Sequence, residues 1–171
     1  LELDGGIGIG AEALTLNGTG IAADGALRNI SGANSFGGAI TLGAATRINS
    51  DASTLTLSGG ITAGQNLTFG GAGDTAVNSV IGTGIGTLTK DGAGTLTLTG
   101  ANTFTGAATI SNGTLSINSI ANGGVASPLG ASVAGTAVVL GSAGTQGILS
   151  YTGGAGATDR TFTVGGAGGG R

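Results

Sequence analysis

Leucine and threonine alternate in short runs along this chain. Residues 14–16, 55–57 and 95–99 show the period-two pattern of β-strands that bury one face. Asn-Gly and Asp-Gly pairs lie between such runs and favour turns, because they tolerate positive φ. Gly is frequent and no apolar stripe of helical period reaches ten residues, so helices are not expected. The pattern predicts an all-β chain of short strands.

The strand-and-turn pattern recurs at regular intervals. Leu-Thr-Leu, a polar residue and Gly begin at 14, 55 and 96, which gives two intervals of 41 residues. Residues 31–42 also resemble residues 99–110 at an offset of 68, so we expect Phe36 and Phe104 to be equivalent. These offsets fit two and three turns of a coil of roughly 20–23 residues. Asn-Gly turns also suit hairpins, but repeated segments stack like on like, which favours parallel coils.

Composition and charge narrow the class of protein. Gly accounts for 40 of 171 residues without the three-residue period of collagen. The five basic and eight acidic residues form no basic cluster, so nucleic acid is not an expected partner. The chain has no apolar run of 18 residues and is not expected to span a membrane as a helix. It lacks Met and Cys and starts at Leu1, so we expect a processed product or an internal fragment, stabilised by strand stacking without disulfides.

The titratable residues offer little chemistry. His and Cys are absent, which excludes Ser-His-Asp and Cys-His catalysis and most zinc sites. Paired carboxylates could still act on polysaccharides, but each candidate lies in a turn-like context, where a turn role is expected. We therefore assign no catalytic residue. The candidates are Asp24, Asp51, Asp74, Asp91 and Asp159.

Three further patterns have simple structural explanations. Residues 70–74 resemble a calcium-binding Gly-rich repeat but are one residue short and lack tandem copies, so no metal or cofactor is expected. Recurrent Thr-x-Thr, which could form an ice-binding ladder, suits the outer face of strands. Lys90 and Arg47 are expected to be solvated surface charges. The Gly-rich stretch 165–170 is predicted to be a loop or a chain end.

Residues 86–117 carry a longer motif. It reads Gly-Thr-Leu-Thr-Lys-Asp-Gly-Ala-Gly-Thr-Leu-Thr-Leu-Thr-Gly-Ala-Asn-Thr-Phe-Thr-Gly, then Ala108-Thr109-Ile110 and Gly113-Thr114-Leu115. This motif resembles the passenger-associated repeat of bacterial autotransporters, and residues 27–60 resemble a degenerate copy. The resemblance implies a right-handed parallel β-helix, secreted to or beyond the outer membrane surface of a Gram-negative bacterium.

The combined prediction is one β-solenoid over residues 1–171, a segment of a larger passenger, with about seven or eight coils and a looped excursion near 120–135. We expect a non-enzymatic stalk or spacer that supports adhesion, cell–cell contact or an extracellular matrix. Its expected partners are neighbouring coils, identical chains, and host or bacterial cell surfaces. Alternatives are a subunit of a filament or sheath that stacks head to tail, and a polysaccharide-acting enzyme. The predicted core ladder is Leu55, Leu57, Leu96, Leu98, Phe104, Ile110, Leu115 and Ile117.

Overall fold

The chain forms a stack of short parallel strands. The computed structural model describes residues 1–62 and 64–165, so the predicted Gly-rich loop lies, after its first residue, outside the described residues. One 3₁₀ turn, Ile21–Ala23, interrupts the strands of this part. The strands are β1 (Glu2–Asp4), β2 (Gly8–Ile9), β3 (Leu14–Gly18), β4 (Leu27–Ser31), β5 (Asn34–Phe36), β6 (Ile40–Ser50), β7 (Thr54–Leu57), β8 (Ile61–Thr62), β9 (Leu67–Gly70), β10 (Asp74–Val77), β11 (Ile81–Gly82), β12 (Leu88–Lys90), β13 (Thr95–Leu98), β14 (Ala108–Ile110), β15 (Gly113–Ile117), β16 (Val138–Leu140), β17 (Gly147–Tyr151) and β18 (Phe162–Val164).

The strands form three rows along the stack. The first row is β1-β4-β6-β9-β12-β14-β16-β18, and the second row is β2-β5-β7-β10-β13-β15-β17. The third row joins the first through the long strand β6, whose first half pairs with β3 and β8, and β8 pairs with β11. Each strand thus pairs with strands of the neighbouring coils. In hairpins it would instead pair with the strand that follows it in sequence. The predicted all-β parallel solenoid is confirmed, whereas its handedness and number of coils stay predictions.

The register explains one repeat interval and corrects another. Leu55 pairs with Thr75 and Thr75 pairs with Leu96, so the 41 residues from Leu55 to Leu96 are two coils. Leu14 instead pairs with Ile40 in the third row. The interval from Leu14 to Leu55 therefore does not join equivalent positions. Alternating Leu and Thr serve equally well in either row, so the same short pattern appears in both.

The expected equivalence of Phe36 and Phe104 is wrong. Phe36 pairs with Leu57 in the second row, whereas Thr103 N donates to Ile81 O at 3.0 Å, which places residues 102–104 in the third row. Both phenylalanines are buried, each two residues after a buried Asn. The shared Asn-x-Phe pattern therefore reflects the same local burial in two different rows, and it does not identify the row.

Apolar side chains from all three rows fill the interior. Leu27, Ile48 and Phe69 form one first-row column that continues through Lys90 to Ile110. Burying such side chains stabilises each by about 1.5–3 kcal/mol relative to exposure. The residues assigned to the core ladder from the sequence all lie inside and are at most 1% exposed: Leu55, Leu57, Leu96, Leu98, Phe104, Ile110, Leu115 and Ile117.

Glycines form a column at the corner between the first and second rows. A Cβ built at Gly92 would overlap backbone atoms of Gly71, and one at Gly113 would overlap Gly92 O. Gly71 and Gly113 also have φ of +97° and +73°, which side chains with a Cβ rarely adopt. Neighbouring coils therefore touch backbone to backbone at this corner, and any side chain there would separate them.

A long connection, residues 118–137, lies between β15 and β16. Its middle rejoins the third row, because Ala131 N donates to Phe104 O at 2.7 Å and Leu129 is fully buried. Arg160, which is 5% exposed, holds this connection from the next coil. Its guanidinium donates to Ser132 Oγ at 2.7 Å, Gly130 O at 2.8 Å, Ala121 O at 3.2 Å and Val125 O at 3.4 Å.

Candidate functional site

Each of the five candidate carboxylates contacts a basic or backbone N–H group of the chain. Asp24 and Asp51 approach Arg28, at 3.4 and 2.6 Å. Asp91 lies 2.7 Å from Arg47. The other two accept backbone hydrogen bonds of 2.7 Å, Asp74 from Thr95 N and Asp159 from Gly123 N. Each carboxylate therefore has a structural partner, and the turn role expected for Asp51 and Asp91 extends to an ion pair with an Arg from another strand.

The glycine-rich segment before Asp74 is close-packed. A Cβ at Gly73 would lie 2.7 Å from Ser50 Oγ and from Ser53 O, so the loop packs against the preceding coil. Within the described ranges 1–62 and 64–165, no group of three or more His, Cys, Asp or Glu side chains is placed to hold a metal ion. The segment serves as a corner of the coil.

The prediction that Lys90 and Arg47 are solvated surface charges is wrong. Lys90 is 3% exposed and faces inward between Phe69 and Ile110. The Arg47 side chain is 19% exposed and lies against Asp91. The alternation of β12 contains the missed signal, because Leu88 and Lys90 are two residues apart and must share the inner face.

Lys90 ends at the glycine corner. Its Nζ donates to Gly92 O and, at 3.4 Å, to Asn112 O on the next coil. Burial lowers the pKa of the Lys90 ammonium to about 8, an effect that nearby Arg47 reinforces and that Asp91 and Asp74 oppose. Lys90 thus takes the place of an apolar residue in the first-row column. Its ammonium group links two successive corners through their carbonyl groups.

Arg47 reaches across one coil to Asp91 through a gap left by Gly70. Arg47 Nη1 donates to Asp91 Oδ2 at 2.7 Å, and a Cβ at Gly70 would overlap the guanidinium. Arg47 Nε, Asn49 Oδ1 and Asp91 Oδ1 are buried and have no hydrogen-bond partner among the described residues. Such groups are usually satisfied by ordered water. We call Arg47, Asn49, Gly70, Lys90 and Asp91 the polar corner.

A second charged group lies at the first coils. Arg28 bonds to Asp51 Oδ2 through both Nε and Nη2, at 2.7 and 2.6 Å, and Nη1 lies 3.2 Å from Glu2 Oε1. These contacts raise the pKa of Arg28, the hydrogen bond to Asp51 being the largest cause. A cleft of about 310 Å³ borders Arg28, Glu2 and Asp24, but its charged groups already neutralise one another.

Hydroxyl side chains dominate the outer faces. One second-row column runs through Ser35, Thr56, Ala76, Thr97, Ser116 and Ser150. A first-row column contains Thr68, Thr89 and Thr109. The basic side chains of the described ranges, Arg28, Arg47, Lys90 and Arg160, all bond within the chain. The faces therefore present hydroxyl groups, and their chemistry suits solvation better than the capture of an anion.

No helix in the described part of the chain has the length and hydropathy needed to cross a bilayer. Residues 88–117, which include β12 to β15 and the corner joined by Lys90, match the family model described as "Passenger-associated-transport-repeat". The chain carries a passenger-associated transport repeat. The repeat thus contains the inward Lys90 and the corner glycines Gly92 and Gly113. It also contains Thr97 and Ser116 of the second-row column.

An autotransporter adhesin is similar to this chain over a longer stretch. The chain is 35% identical over 130 residues to the adhesin BmaC autotransporter of Brucella suis biovar 1 (strain 1330). The match covers 70% of this chain but only 4% of that protein. No solved structure matches the chain. The family model and this relative together support an autotransporter passenger segment.

Proposed function

We propose that this chain is a stalk or spacer segment of a passenger displayed at, or released from, the surface of a Gram-negative bacterium, and that it has no catalytic activity. The second-row column from Ser35 to Ser150 carries the proposal, because each coil adds about 4.8 Å of length for roughly 20 residues. The internal bonding of carboxylates and basic groups supports a passive surface. The small share of the adhesin that the chain matches fits one segment of a long rod.

The proposed role depends on where the stabilising contacts of the chain lie. Buried columns and corner glycines hold each coil to the next, so stability is local and extension by further coils repeats the same contacts. Adhesion, cell–cell contact or matrix formation would then depend on binding regions that the rod holds away from the cell. In this proposal the contacts of the segment itself are with neighbouring coils.

Filament assembly is the second candidate. Within the described residues, β18 is the last strand of the first row and β17 is the last strand of the second, and they carry the exposed side chains Tyr151, Phe162 and Val164. Unpaired strand edges with apolar side chains template the pairing of another chain. In this candidate, identical chains stack head to tail through such strands.

Two measurements on the purified chain separate the candidates. Small-angle scattering and electron microscopy should show single short rods for a spacer, whereas long fibres would favour assembly. Fluorescent beads that carry the chain should adhere to host and bacterial cells no better than beads carrying an unrelated β-solenoid. Adhesion above that control would contradict a passive spacer.

A further inference from the structure

Residues 158–160, which we call the latch, bind the first part of the long connection, residues 121–125, which we call the arm. Thr158 Oγ1 donates to Ala121 O at 2.8 Å, and Arg160 Nε donates to the same oxygen at 3.2 Å. The latch lies just before β18, whereas the arm comes soon after β15. Two segments that lie far apart in sequence are therefore joined side by side.

Asp159 fixes the alignment of the latch against the arm. Its backbone N donates to Asn122 Oδ1 at 3.1 Å, and its Oδ1 accepts from Gly123 N at 2.7 Å. Both Asp159 and Asn122 are exposed. Water competes for hydrogen bonds at such positions, so this pair contributes more to alignment than to the strength of the contact.

The Arg160 guanidinium holds both sides of the connection. Besides Ala121 O, it donates to Val125 O in the arm, and to Gly130 O and Ser132 Oγ where the connection returns. These acceptors are neutral. Burial lowers the pKa of Arg160, but arginine stays protonated in proteins. A buried charge that loses part of its acceptors is costly, so these hydrogen bonds should break together rather than one by one.

The middle of the connection, residues 127–131, has separate anchors on the third row. Asn102 N donates to Ser127 O at 3.1 Å, and Ala131 N donates to Phe104 O at 2.7 Å. Neither bond involves the latch. Opening of the latch therefore leaves the middle of the connection attached to the preceding coil.

We propose that the latch and the arm are one conformational unit, which opens and closes as a whole while residues 127–131 stay paired with the third row. When the unit is closed, Arg160 is buried and the arm has a fixed shape. When it opens, the guanidinium reaches water and the arm becomes mobile. The shape of the arm thus depends on the coil that follows it in sequence. This inference is independent of the spacer proposal.

Hydrogen exchange at single amides of the full chain, measured by NMR, tests the proposal. Arg160→Met keeps an apolar side chain of similar length and removes every guanidinium donor. Loss of these bonds should speed exchange in the arm about a hundredfold, and exchange at the third-row anchors should change by less than about threefold. The matched control is Thr163→Ala, an exposed position of β18, which should leave the arm unchanged. The reporting amides are Gly123, Gly124 and Val125 in the arm, and Asn102 and Ala131 at the anchors.

The parent chain supplies a second test that does not depend on the folding of a variant. Exchange in low concentrations of urea should give the same opening free energy and the same urea dependence for Gly123 N in the arm and Asp159 N in the latch, because one opening exposes both. Different values for these two amides would overturn the proposal. Unchanged exchange of the arm in Arg160→Met would overturn it as well, and so would acceleration of Ala131 as large as that of the arm.

Discussion

Gly92→Ala should destabilise the chain by about 3 kcal/mol, the upper part of the range for overpacked sites. The added Cβ would overlap the backbone O and N of Gly71, and neither atom can move without separating the two coils. The φ of Gly92 is not in the left-handed region. The cost is therefore steric. Urea unfolding followed by circular dichroism measures it as a lower midpoint.

Gly154→Ala is the matched control for this substitution. A Cβ at Gly154 would meet no atom within 4 Å, and its φ is also outside the left-handed region. Alanine there should leave stability unchanged or raise it by up to about 1 kcal/mol, because it restricts the unfolded chain. Equal midpoints for the two variants would refute the close stacking at the glycine corner.

Stability should rise by about 2–3 kcal/mol between pH 8 and pH 10.5 because of Lys90 alone. Burial lowers the pKa of Lys90 to about 8 in the folded state, while the unfolded value is near 10.4. Between these values the unfolded chain binds more protons, so raising the pH favours the folded state. Below pH 8 both states are charged, and the cost of burying the ammonium is fully present.

Lys90→Met isolates this effect, since the chain contains no other lysine. Methionine has a similar length and suits the column between Phe69 and Ile110. The variant should lack the rise assigned to Lys90 and should be at least as stable as the parent at pH 7. Superimposable stability profiles would mean that the Lys90 amine is solvated.

Much of the fold can be predicted from this sequence, because strand alternation and corner turns leave strong local patterns. Leu55, Leu57, Leu96 and Leu98 repeat over two coils with the same outward threonines. The assignment of rows could not be predicted from such patterns. Leu14 lies in a strand as regular as those of the second row, and Phe104 follows the same Asn-x-Phe pattern as Phe36. Only their pairing partners, Ile40 and the coil of Ile81, reveal the third row.

The polar corner was harder to predict, because its partners are far apart in sequence. Arg47 and Asp91 are 44 residues apart, and their contact requires the glycine at position 70. Lys90 could have been placed inside from the alternation of β12, but a lysine in a short strand is ordinarily assigned to the surface. The burial of Lys90 depends on two carbonyl oxygens, Gly92 O and Asn112 O, which accept hydrogen bonds from its ammonium group.

The central claim is that successive coils stack in parallel and in register. Spin labels on the second-row column test it directly, with one label at Ser35 and the other at Thr97, Ser116 or Ser150. These positions are three, four and five strands from Ser35. The distances between the two labels, measured by double electron–electron resonance, should therefore increase in steps of about 4.8 Å, from about 14 to about 24 Å. Distances that do not grow in this order, as in a sandwich of antiparallel strands, would contradict the solenoid.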